Sequence, residues 1–124
     1  MNLPVTNTTQ TGIRGENLTV DYLLNQGYEL LDKNYRFKKY EIDLVLRDQS
    51  TLVVVEVKFR STDMFCEPWK SVTRKKQQQI IQVANHYVQT KELDYEVRFD
   101  VVGIVANENG LQIEHIQDAF YPIA

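Results

Sequence analysis

Asp43, Glu56 and Lys58 are the residues of this chain best suited to chemistry. Glu56 follows Asp43 by thirteen positions, and Lys58 follows Glu56 by two. They stand in Glu41-Ile42-Asp43-Leu44-Val45-Leu46 and, after the polar stretch Arg47-Asp48-Gln49-Ser50, in Leu52-Val53-Val54-Val55-Glu56-Val57-Lys58. Both segments are apolar enough to lie in the interior, where charge is costly to desolvate without a partner or a metal. Two acids and a cation placed this way suit metal-assisted phosphodiester chemistry. Hard carboxylate oxygens take Mg²⁺ or Mn²⁺. Such a metal acidifies water and offsets charge on phosphorus, and a lysine can orient that water or neutralise the same charge.

The elements that must position these residues follow from periodicity. Residues 1–11 read as a flexible polar arm, ahead of a single domain over 12–124. Gly12 to Gln26 reads as a helix, with Val20, Leu23, Leu24 and Gly27 at helical spacing and Gly27 as its stop. Tyr28 to Phe37 is a strand, irregular at Asp32-Lys33-Asn34. Glu41 to Leu46 is a second, alternating strand. Leu52 to Phe59 is a third, its unbroken apolar run marking a central strand covered on both faces. Thr73 to Thr90 is a helix with Thr73 as N-cap and a stripe of Ile80, Ile81, Ala84, Tyr87 and Val88. Tyr95 to Val105 and Leu111 to Ile116 are strands joined by the turn Asn107-Glu108-Asn109-Gly110. The order α-β-β-β-α-β-β predicts an α/β domain with a mixed central sheet flanked by helices.

On the third strand Glu56 and Lys58 share one side, roughly 6.6–7 Å apart along the chain, with Leu52 and Val54; Val53, Val55 and Val57 take the other. If the second and third strands form a hairpin, Asp43 and Glu56 come within reach of one cation. Glu16 joins by helical spacing, at steps of four, three and four residues from Val20, Leu23 and Gly27, which puts it on the core-facing stripe. Plainer readings stand beside these. Glu56 and Lys58 can form a same-face salt bridge, Asp43 can end a strand, and Glu16 can complement a helix dipole. Arg98 and Asp100 share a face of the fourth strand and read as a structural ion pair, while His86 and His115 have no nucleophile beside them.

The net charge of −3 argues against a protein that coats nucleic acid, but the charge is uneven. Residues 1–91 carry 13 Lys+Arg against 10 Asp+Glu, and residues 92–124 carry one Arg against 7 acids. Two acid-free basic runs, Lys33-Arg36-Lys38-Lys39 and Lys70-Arg74-Lys75-Lys76, offer either a phosphate-facing side or two solvated loops. Tyr35, Phe37 and Trp69 adjoin them, as core residues or as surfaces on which bases could stack. The lone Cys66 excludes an internal disulfide and suits a reducing cytoplasm. No stretch approaches the roughly 18 apolar residues of a membrane span, and the polar N-terminus has no secretory-signal pattern.

Asp43…Glu56-Val57-Lys58 resembles the signature of the PD-(D/E)XK nuclease superfamily, and the element order matches its restriction-endonuclease-like fold. A closer resemblance is to the bacterial UPF0102 (YraN-like) family, related to Holliday junction resolvases. It is carried by Gly12-Ile-Arg-Gly15-Glu16, Asn34-Tyr35-Arg36, Glu41-Ile42-Asp43-Leu44-Val45, Val55-Glu56-Val57-Lys58 with Arg60, Lys76, and Arg98-Phe99-Asp100-Val101-Val102. Three segments depart from the pattern: Tyr40 and Phe59 replace a usual Gly and Thr, and Cys66-Glu67-Pro68-Trp69 stands where Gly-x-Pro is common.

The resemblance implies Glu16, Asp43, Glu56 and Lys58 as active-site positions, with the three acids holding Mg²⁺ or Mn²⁺ and Lys58 assisting attack of water. Lys38, Lys39, Arg60, Lys70, Arg74 and Lys76 would contact the nucleic-acid backbone. The substrate implied is DNA, extending by the resolvase analogy to branched DNA cut by a homodimer. Two other readings stay open: a nucleic-acid-binding module without turnover, and a structural role in which the charges form an internal ion-pair network.

Overall fold

The computed structural model describes residues 8–61 and 72–122. The elements are α1 (Thr8–Asn25), β1 (Glu29–Phe37), β2 (Tyr40–Asp48), β3 (Thr51–Ser61), α2 (Arg74–Lys91), β4 (Glu96–Asn107) and β5 (Gly110–Phe120). The strands form one sheet in the order β1-β2-β3-β4-β5. Neighbours are antiparallel except β3 and β4, which run parallel because α2 carries the chain between them. The expected α/β architecture with a mixed five-stranded sheet and two helices is present. Among the described residues no helix is long and apolar enough to cross a membrane.

Each face of the sheet is closed by one helix. Leu52 and Val54 of β3 pack with Ile42 and Val45 of β2 beneath Ile80, Val83, Ala84 and Tyr87 of α2. Val53 and Val55 turn the other way and pack with Leu44, Leu46, Val102 and Ile104 beneath Val20 and Leu23 of α1. Burying a Val or Leu contributes about 1.5–3 kcal/mol relative to exposure, so the continuous apolar run of β3 fixes it as the centre of the molecule.

The helix ends follow from their residues. Gly27 has φ of +95°, and the Tyr28 N–H donates to the Leu23 carbonyl at 3.1 Å, closing α1 in a left-handed turn. The Thr73 hydroxyl accepts from the Lys76 N–H at 3.1 Å and caps α2.

Three features differ from expectation. α1 begins at Thr8, so four residues of the expected arm are helical, and residues 1–7 lie outside the described ones. Leu24, expected on the inner stripe, is exposed because a single helix on a sheet buries only a narrow face, here filled by Gly15, Thr19, Val20 and Leu23. β5 runs on past Ile116 to Phe120. Its polar Gln117-Asp118 reads as a strand end, but Asp118 adopts a φ of +52° and donates its N–H to Asp100 at 3.1 Å. That bulge lets Phe120 re-pair with Phe99 and stack on it, with ring centroids 5.2 Å apart.

Candidate functional site: a carboxylate wedge in the sheet

The ladder between β2 and β3 runs from Asp48↔Thr51 to Leu44↔Val55. Both strands continue past that point, but with other partners. β2 stays paired with β1 as far as Phe37↔Tyr40, and β3 stays paired with β4 as far as Ser61↔Ala106. The sheet therefore opens into a wedge, and Asp43 and Glu56 are the first residues inside it. Asp43 Oδ2 accepts from the Val57 N–H at 2.8 Å, taking the place of the strand that has turned away. A backbone donor left without an acceptor there would be costly.

Glu56 shares its face of β3 with Leu52 and Val54, as alternation predicts, and is only 6% exposed. The Asp43 and Glu56 carboxyls are neighbours close enough for each to shift the other. Two carboxylates in contact cannot both ionise easily. Burial, reinforced by the Asp43 charge, pushes the Glu56 carboxyl up to about 8. Burial raises Asp43 as well, although the hydrogen bonds from Val57 and Glu56 work against it. The pair thus holds a proton that a cation would displace.

Two lysines face the pair. Lys58 Nζ lies 3.8 Å from Glu56 Oε1, the same-face neighbour expected two residues along the strand. Lys76 Nζ, from the first turn of α2, lies 4.0 Å from the same oxygen. Thr73 positions this lysine by fixing where α2 begins. Neither lysine is close enough for a short ion pair, and each is about one-third exposed, so both ammonium groups can also address a ligand entering the wedge.

Glu16 approaches from α1 and is half-buried, consistent with its place on the inner stripe. Its carboxyl is raised by burial first and by the Asp43 charge second. Asn34 holds it: with the amide nitrogen turned toward the acids, Asn34 donates to Glu16 Oε1 at 3.0 Å and to Glu41 Oε1 at 3.2 Å. Asn34 can do so because its φ of +52° rotates it out of the regular pleat of β1, in the segment whose polar composition signals irregularity. Glu41 in turn accepts from Arg36 at 2.8 Å. Asn34 and Glu41 also adjoin the site, beyond the four positions expected to act there. The two-residue step from Glu41 to Asp43 carried a signal for one, and no periodicity could signal the other.

Among the described residues no group of three or more His, Cys, Asp or Glu side chains converges tightly enough to hold a metal ion. The donors nevertheless have the right chemistry for Mg²⁺ or Mn²⁺. Such ions are held by one or two carboxylates and keep several waters or phosphate oxygens, and Asp43 and Glu56 offer two adjacent hard carboxyl groups. Glu16 stands beside them, coupled through charge and Asn34.

The remaining expected residues divide. Lys38 and Lys39 form the β1–β2 turn, their ammonium groups 5.3 Å and 5.7 Å from the centroids of the Phe37 and Tyr40 rings. Arg74 opens α2 and is exposed. Arg60 lies in β3 opposite Val105. Lys70, Cys66 and Trp69 lie outside the described residues. Tyr35 and Phe37 pack partly against the core and engage His86, through a 2.8 Å hydrogen bond and a 3.9 Å ring stack respectively. Arg98 and Asp100 form the expected ion pair, at 2.9 Å through both Nε and Nη2, away from the wedge.

Similarity to known proteins agrees with this arrangement of segments. The model of the uncharacterised protein family UPF0102 matches residues 15–104, a span that contains Glu16, Asp43, Glu56, Lys58 and Lys76. A UPF0102 protein of Christiangramia forsetii is 47% identical over 112 residues, covering 90% of this chain and 94% of that protein. One of Thermodesulfovibrio yellowstonii is 42% identical, covering 90% and 96%. Among solved structures, Pyrococcus furiosus SfsA in complex with Ca²⁺ aligns with a TM-score of 0.34 at 13% identity, covering 90% of this chain. This chain spans 64% of that one, less than two thirds of its length. The chain belongs to the uncharacterised protein family UPF0102.

Proposed function

We propose that the protein is a metal-dependent endonuclease that hydrolyses DNA phosphodiester bonds, built on a restriction-endonuclease-like fold. The observation that carries this reading is the Asp43–Glu56 pair, packed into the opening of the sheet with Lys58 and Lys76 within about 4 Å of Glu56. A structural ion pair needs one cation per acid and no access. This cluster has two adjacent acids, a third coupled to them, and two half-committed lysines.

Asp43 and Glu56 would hold Mg²⁺ or Mn²⁺, with Glu16 shaping the field from α1. When bound, the ion supplies activation of water and neutralisation of charge on the phosphate. Lys58 would orient the attacking water and stabilise the oxygens that gain charge as it attacks. Lys76 lies at the capped start of α2, where backbone N–H groups already favour an anion, and would hold the scissile phosphate. Lys38, Lys39, Arg60, Lys70 and Arg74 would steer the flanking backbone. Selectivity for branched DNA, and a homodimer to cut it twice, extend the proposal by analogy with resolvases.

A second reading rests on the same lysines. Because Lys58 and Lys76 already offset part of the Glu56 charge, the wedge can exist without a metal, as in a nucleic-acid-binding module that does not turn over. A low-salt cleavage assay separates the two, using a four-way junction and its matched duplex with Mn²⁺, Mg²⁺ or EDTA. The endonuclease reading expects metal-dependent cutting that Asp43→Asn reduces to the EDTA background. Absence of cutting by the wild type, with gel-shift binding that Asp43→Asn leaves intact, would establish the binding module instead.

A further inference from the structure

The flank of α2 that faces away from the wedge borders a half-open pocket of about 240 Å³. Arg74 stands at one end, Gln78, Gln82 and Asn85 present side-chain amides, Ile81 contributes apolar surface, and Tyr121 closes the edge. Tyr121 is 68% exposed, an unusual position for a large aromatic ring in this chain. Among the described residues, none hydrogen-bonds the amides of Gln78, Gln82 or Asn85. The pocket starts within one helical turn of Lys76, and Gln82 lies roughly 9 Å farther along the axis.

We infer that this pocket is a subsite for one unpaired nucleobase. The inference rests on the reading of the wedge as the place where a phosphodiester lies. Four features support it. The volume is below the roughly 300–1,000 Å³ of pockets that enclose larger ligands, which suits one planar group. Amide side chains carry a donor and an acceptor side by side, the pattern that pairs with the exposed edge of a base. An exposed tyrosine ring offers a stacking surface that any base can use. The basic first turn, Arg74-Lys75-Lys76, lies between the pocket and the carboxylates, where the phosphate joining a held base to the cleavage point would pass. A base within a paired duplex has neither its face nor its pairing edge free, so the subsite distinguishes unpaired nucleotides from duplex.

Binding tests this without requiring cleavage. Fluorescence anisotropy in EDTA at low salt would compare a labelled duplex carrying a short unpaired flap with the fully paired duplex, for wild type, Tyr121→Ala and Gln82→Ala. Both substituted residues are exposed, and thermal unfolding of each variant would confirm an intact fold. The subsite predicts that wild type prefers the flap and that Tyr121→Ala weakens flap binding at least about fivefold, the lower end for loss of one stacked base. Gln82→Ala would weaken it less, and duplex affinity would stay within about twofold for both, since neither residue would meet a paired base. That result would hold even if no cleavage were found, so it survives failure of the nuclease reading. Equal weakening on both substrates would overturn the inference by making the pocket a general backbone contact. Unchanged affinity on both would also overturn it, leaving the pocket to another occupant such as a peptide segment. Failure of wild type to bind any DNA would overturn both readings together.

Discussion

Asp43–Glu56 and Asp100 are buried carboxylate sites on adjacent parts of one sheet, and they are built on opposite principles. Asp100 is fully buried and fully answered. Arg98 donates to both of its oxygens at 2.9 Å, His115 Nε2 lies 2.8 Å from Oδ2, and the Asp118 N–H donates to Oδ1 at 3.1 Å. Arg98 also reaches the Tyr28 hydroxyl at 2.6 Å. Burial alone would raise this carboxyl, but the hydrogen bonds outweigh it and hold Asp100 below the usual carboxylate range. At the wedge Glu56 neighbours another acid, the two lysines stand off at 3.8 Å and 4.0 Å, and the carboxyls are raised. The lesson is that burial does not distinguish a working acid from a structural one. The count of partners does, on the proposed reading: the wedge carboxyls, left short of donors, are the ones that would receive a cation from outside.

The largest effect that could break this comparison is on stability at Asp100. Asp100→Asn removes the buried counter-charge of Arg98 and leaves it only the half-exposed Asp48 at 3.9 Å, and the expected loss is about 3 kcal/mol, the lower end for one-sided removal of a buried pair. Urea unfolding at neutral pH measures it. Near-wild-type stability would show that Asp100 is no more structural than Glu56.

The pH dependence of the metal-free protein should differ in sign between the sites. Glu56 rises from an ordinary 4.5 to about 8 on folding, so its stabilising neutral form is fully present below about pH 4.5. That contribution is lost as pH rises through about 8. Asp100 is lowered on folding, so its contribution is present above its ordinary value of 3.8 and is lost as pH falls through the lower folded value. Glu56→Gln is therefore expected to be more stable than wild type at pH 9, by on the order of 1 kcal/mol, with no advantage at pH 5. Asp100→Asn should instead flatten the acid limb. A Glu56→Gln variant that is less stable at pH 9 would mean that the wedge is as well satisfied as the Asp100 site.

His115→Phe sharpens the structural half. It keeps a ring between Tyr22 and Tyr28 but removes one of the hydrogen bonds to Asp100, and a loss of about 1–3 kcal/mol is expected for a buried, charge-assisted bond. The smallest effect lies beside the wedge: Thr73→Ala should cost about 1 kcal/mol through loss of the cap. Because the cap fixes the helix turn that carries Lys76, it should also lower affinity for DNA backbone while leaving the acid limb of stability unchanged. Chemical denaturation and anisotropy on the same samples would separate the two.

How far the amino-acid order went depended on whether the information was local. The apolar run of β3, the stripe and cap of α2 and the Gly27 stop are properties of neighbours within a few residues, and each reads directly; the expected alternation of β2 does not hold, because Ile42 packs under α2 while Leu44 and Leu46 pack under α1. The pairing of Glu56 with Lys58 on one face also reads directly, because the strand period of two fixes it, and so does the inward placement of Glu16. The polar run Asp32-Lys33-Asn34 even marked where β1 breaks its regularity. By itself, then, the sequence determined the element order, the mixed sheet, the residues that face its interior and the acids that stand there.

Only the tertiary structure decided what those acids meet. That β2 leaves β3 after Leu44↔Val55 depends on each strand keeping a different partner, β1 on one side and β4 on the other. Asp43 therefore bonds the Val57 N–H rather than standing opposite Glu56 in a regular ladder. The approach of Lys76 depends on where α2 begins after its crossover, and the bridge from Asn34 to Glu16 and Glu41 on a left-handed residue in another strand. His115 reaches Asp100 diagonally across the β4–β5 ladder, and β5 extends to Phe120 past a bulge at Asp118 whose N–H donates to the same carboxylate. Periodicity encodes which way a side chain points; which charge it finds there is set by contacts between residues far apart in the chain.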